Sequence, residues 1–95
     1  MFAPRSVNAD VTRVNDSASS VTLLDHHDGR VGAIMANDSD QIAYIKFGTT
    51  ATTTSFTYKL LAGDILEFSD PVYVGRVDCI WTSDSSGAMQ ITELY

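Results

Sequence analysis

The residues best equipped for chemistry lie in one short run, Asp25-His26-His27-Asp28. Imidazoles and carboxylates together can ligate a divalent ion, and a histidine beside an aspartate can act as a base. Adjacent residues on an extended chain point in opposite directions, so this run cannot close around one ion unaided. A structural zinc site needs four ligands, and no other His or Cys lies nearby. The run therefore reads as a solvated loop with no metal assigned. Asp38-Ser39-Asp40 resembles part of a calcium loop but lacks the acidic residue that closes an EF-hand. Gly48 and the threonines after it have neither the lysine nor the helix of a phosphate cradle. G-x-S-x-G, H-E-x-x-H, P-loop and dinucleotide fingerprints are all missing. No catalytic residue and no cofactor is assigned. Cys79 falls at strand spacing beside Val77 and Trp81 and reads as an inert buried thiol.

The elements that must carry these residues are strands. Ten Asp against two Glu, with ten Ser and ten Thr, is a turn-and-strand composition rather than a helical one. Ninety-five residues make one domain with a modest core, one that gains from association. A net charge of −6 repels phosphate, which excludes nucleic acid as the expected partner. No segment has the apolar length of a membrane span or a signal peptide, so no membrane partner is expected. The single cysteine suits folding in a reducing cytosol.

Candidate strands are Ser20–Leu24, Arg30–Asn37, Ile42–Phe47, Thr54–Leu61, Ile65–Ser69, Arg76–Thr82 and Ala88–Leu94. Turn residues such as Asp28-Gly29, Gly63-Asp64 and Asp70-Pro71 separate them. That spacing predicts an all-β, antiparallel, jelly-roll-like sandwich of about seven or eight short strands. Residues 1–18 read as a polar N-terminal arm with at most one strand, Asp10 to Val14, and residues 19–95 as the sandwich domain. Alternation places Phe56, Tyr58, Leu60, Ala43, Ile45, Phe47, Leu66, Phe68, Val77, Cys79 and Trp81 in the core. Tyr44, Ile65 and Ile80 are left on nominally polar faces. With Val11 and Val14 of the arm they form the candidate interface of a homo-oligomer.

Three segments then stand out together: Arg30 to Ser39, Tyr44 to Asp64, and Pro71 to Trp81 followed by Thr92-Glu93. Their order of turn and core residues is similar to that of a group of small virion proteins of tailed phages, over roughly Val21 to Tyr95. The resemblance implies a non-catalytic phage structural protein, located in the virion and assembled in the host cytoplasm. Its first implied role is a capsid decoration, or cement, protein bound as an oligomer to the major capsid protein or other virion proteins. The alternative is a fibre- or tail-associated module binding a receptor or glycan, through aromatics such as Tyr44, Tyr73 and Trp81. The loop Asp25–Asp28 departs from the pattern of that group.

Overall fold

Alternation in the segments 43–47, 65–68 and 77–81 gives each an apolar side, and an antiparallel sheet can bury such a side only against another layer. The computed structural model, which describes residues 5–95, meets that demand with two sheets. The described residues form eight strands: β1 (Ala9–Asn15), β2 (Val21–Leu24), β3 (Gly32–Asp38), β4 (Ala43–Phe47), β5 (Tyr58–Leu60), β6 (Ile65–Phe68), β7 (Val77–Trp81) and β8 (Ala88–Leu94). One sheet has the order β1-β8-β3-β6 and the other β2-β7-β4-β5. The antiparallel pairs β1·β8, β2·β7, β3·β6 and β4·β5 are nested in sequence, as in a long two-armed ribbon. The further pairs β3·β8 and β4·β7 roll that ribbon into two layers. This is the jelly-roll β-sandwich that the strand spacing predicts.

The core lies between the layers. Met35, Ile45, Val77, Cys79, Trp81, Met89 and Ile91 are fully enclosed, joined by Leu23, Leu24, Ala33, Ala43, Leu60, Leu66 and Phe68. Each large side chain taken out of water here stabilises by about 1.5–3 kcal/mol. One polar residue is built into this layer. Asn37 of β3 donates to the carbonyls of Gln41, Leu60 and Leu61 and accepts from Trp81 Nε1 at 3.2 Å and Ser39 Oγ at 2.7 Å. Every position of its amide is thus occupied, the condition under which a buried polar group can be tolerated. Gly87 lies close against the turn after β3, where an added Cβ would collide with Ser39.

Two expected core residues are elsewhere. Phe56 and Tyr58 are 39% and 40% exposed, and the expected strand 54–61 shrinks to Tyr58–Leu60. Thr52 explains the loss. Its hydroxyl accepts from the amides of Thr54 and Ser55, while Thr52 and Ser55 exchange backbone bonds. Local side-chain bonding of this kind competes with strand pairing. Phe56 therefore lies before the strand, its ring edge-on to Tyr44 at 4.9 Å on the outer side of β4. Tyr58 keeps the inward direction opposite Ile45 and leans on Phe47, but β5 is an edge and leaves the ring half open.

Residues 1–4 of the expected arm lie outside the described residues. Farther along, the segment carries β1, paired with β8 from Ala9↔Leu94 to Asn15↔Ala88. Asp16 is buried just beyond it, where its carboxylate accepts from the backbone N–H and the hydroxyl of Ser85.

Candidate functional site

The run Asp25-His26-His27-Asp28 leaves the end of β2 and turns at the mouth of the sandwich. The last residues of β2, Leu23 and Leu24, form an apolar wall there. On the inner face of the opposite sheet, Asp10 and Thr12 of β1 and Glu93 of β8 project toward it. Together with Asp25, His26 and His27 they line a cleft of about 330 Å³.

A buried arginine holds this mouth together. Arg30, 2% exposed, donates through Nε to Glu93 at 2.8 Å and through its other nitrogens to the carbonyls of Tyr73, Gly75 and Asp25. A planar guanidinium suits such a task, because its donors leave in a fixed fork. Glu93 also meets His27 Nδ1 at 3.3 Å, and the His27 ring stands edge-on to Tyr95 at 4.9 Å. The His27 amide donates to Val74, which ties the loop to the β6–β7 connection. The run is therefore braced at His27, where the sequence alone suggests a free solvated loop. His26 does face water and pairs with Asp28 at 2.6 Å. Tyr95 donates its hydroxyl to Asp10 at 3.0 Å, and that bond holds its phenol pKa above the ordinary value.

Chemically, the cleft offers hydrogen-bond acceptors and aromatic edges. Each imidazole is paired with a carboxylate, and among the described residues neither bonds a hydroxyl or thiol that it could activate. No three His, Cys, Asp or Glu side chains among the described residues converge as metal ligands do. Cys79 lies in the core, where burial pushes its thiol well above its ordinary pKa.

The five candidate interface residues fall in three places. Val11 and Ile65 share the outer face of the β1-β8-β3-β6 sheet, at opposite edges, 61% and 65% exposed, with Thr92, Ile34, Gln90 and Ala36 between them. Tyr44 and Ile80 are direct neighbours on the outer face of the other sheet, and the Phe56 ring partly covers Tyr44. Val14 points inward and packs against the core. Val11 and Val14 are three residues apart on a strand, so they cannot share a face. Of the aromatics considered for a glycan, Trp81 is buried and Tyr73 is stacked on Phe47 at 4.5 Å, which leaves Tyr44.

The buried polar residues Arg30, Asn37, Asp16 and Asp78 are missed by the alternation argument. Arg30 and Asn37 do stand in the first of the three segments that carry the resemblance. That they are buried gives no periodic signal.

No protein-family model matches this chain, and no curated protein sequence is similar to it. Among solved structures, the fold is similar to the crystal structure of the stem and receptor binding domain of the spike protein P1 from bacteriophage PM2. The TM-score is 0.64 at 17% identity, over 90% of this chain and 33% of that one. The chain therefore spans about a third of the spike chain it matches.

Proposed function

We propose that this chain is a non-catalytic structural module of a phage virion, of the spike or fibre type, carried at the particle surface. The observation that carries this reading is the likeness over 90% of the chain to one part of a phage spike. The site geometry supports it. Both imidazoles are paired with carboxylates rather than nucleophiles, and Arg30 holds the mouth of the sandwich as a rigid frame.

A second reading, a capsid decoration protein, draws support from a different feature. The outer face of the β1-β8-β3-β6 sheet carries Val11, Ile34 and Ile65 without a covering layer, which suits contact with an assembled shell. Immuno-electron microscopy of purified particles, with copy number by quantitative mass spectrometry, separates the two. A spike or fibre module gives label at vertices or tips, low copy number, and a free domain that competes with adsorption to host cells. A decoration protein gives even label over the shell and high copy number. Particles that lack the chain altogether would overturn both readings.

A further inference from the structure

Each sheet has two edges, and an exposed edge is a template for another strand unless something blunts it. Three of the four are blunted. β2 has four residues and a register break between Thr22 and Leu24. β5 has three residues, with Lys59 among them. β6 has four, with Glu67 inside and Asp70-Pro71 shortly after. β1 is neither short nor broken in register, and of its two charged residues Asp10 lies on the inner face and Arg13 on the outer one. It runs seven residues without a bulge, proline or lysine, and it is exposed along nearly its whole length.

The hydrogen-bond parity of β1 shows which groups are free. Asn8 and Tyr95 exchange both backbone bonds, at 2.8 and 3.0 Å, and Asp16 donates to Gly87 at 3.0 Å. By antiparallel alternation Asp10, Thr12 and Val14 also bond β8, so Ala9, Val11, Arg13 and Asn15 turn their N–H and C=O groups away from it. Among the described residues these outward groups have no hydrogen-bond partner. The one charged side chain among those four residues is drawn off the edge, since Arg13 reaches across the outer face to Asp38 at 2.9 Å and Gln90 at 3.0 Å.

We infer that β1 is the docking edge for a second copy of this chain, paired antiparallel with its counterpart across a twofold axis. Such an isologous contact joins two sandwiches through one continuous sheet. A twofold normal to the sheet keeps both outer faces on one side, so only same-parity residues pair. An axis at Thr12 uses the whole strand. It pairs Ala9 with Asn15 and Val11 with Arg13, each twice, and the outward groups then make about eight backbone bonds. In that register no two like charges stand opposite each other, since the apolar, 61% exposed Val11 faces the Arg13 position of the second copy, whose charged end is held over its own sheet by Asp38 and Gln90. The inference stands on the sheet geometry and does not depend on a place in a virion.

The test is the solution mass of the chain by analytical ultracentrifugation across a wide concentration range. The expected result is a concentration-dependent rise from 10.3 kDa to twice that value. Val11→Pro deletes only an outward N–H and should abolish the rise while leaving the melting temperature of the monomer near that of the parent. Val11→Lys sets two ammoniums diagonally across the twofold, the device that blunts natural edges, and should weaken the dimer at least tenfold. A mass of 10.3 kDa at every concentration overturns the inference, as does a dimer that survives Val11→Pro. A dimer unaffected by Val11→Lys overturns the Thr12-centred register.

Discussion

Arg30→Met tests the claim that one buried side chain holds the mouth of the sandwich. Methionine keeps much of the volume and removes every donor. Glu93, 15% exposed at its side chain, then loses its closest partner, and the carbonyls of Tyr73, Gly75 and Asp25 lose theirs. Single hydrogen bonds to a charged group contribute about 1.5–3 kcal/mol, but four on one guanidinium do not add. Removing one partner of a buried ion pair costs about 3–5 kcal/mol, the range expected here. A chain of this length is stable by only about 5–14 kcal/mol, so the variant should fold with little margin. Its melting temperature should fall by roughly 10–40 °C. Urea unfolding followed by the fluorescence of Trp81, the one tryptophan and fully buried, measures the loss directly. Arg30→Lys should fall between parent and methionine, because an ammonium can meet Glu93 but cannot span three carbonyls as well. A loss under about 1 kcal/mol for Arg30→Met would show that water already serves these acceptors and that Arg30 braces nothing.

Three further outcomes are expected. Phe56→Ala should cost under about 1 kcal/mol while Ile45→Ala costs about 2–5 kcal/mol, and equal losses in urea unfolding would return Phe56 to the core. Native Cys79 should resist an aromatic disulfide reagent at neutral pH and react fully in denaturant, whereas equal rates would contradict its enclosure and raised pKa. Tyr95, whose pKa is raised first by its bond to Asp10, should ionise later than a free phenol in an absorbance titration, and Asp10→Asn should bring that late step forward. The stabilisation from that bond is complete below the free phenol value of about 10 and is lost as pH rises through the higher folded value, so Tyr95→Phe should remove the late step and this alkaline sensitivity together.

Much of the sandwich is written in alternation. Ala88–Leu94 is read with its bounds intact, Ile42–Phe47 and Ile65–Ser69 miss by one residue at one end, and Arg76–Thr82 by one at each end. The pattern fails where side chains compete with it, as Thr52 does just before Phe56. It also cannot see Arg30 and Asn37, because a two-letter code of apolar and polar puts polar residues outside. Their partners are backbone carbonyls from segments remote in sequence, such as Tyr73 and Gly75 for Arg30 or Leu60 and Leu61 for Asn37. The cleft has the same origin. His27 and Asp28 are adjacent in the chain, yet only His27 meets Glu93, and only the closed sheet brings that carboxylate to it.

The nested pairing also sets a timetable for folding. The innermost strand contact, Ile45 with Tyr58, closes a short loop, while the outermost strand pairing joins Ala9 to Leu94. Loop-closure entropy is paid before distant contacts reward it, so the ribbon should zip from β4·β5 outward and rank among slow, millisecond-to-second folders. During synthesis β1 is among the first strands to emerge and the last to find its neighbour, because β8 must be made first. Through that interval both sides of β1 are unsatisfied, and crowded nascent chains can capture one another there before each closes its own roll.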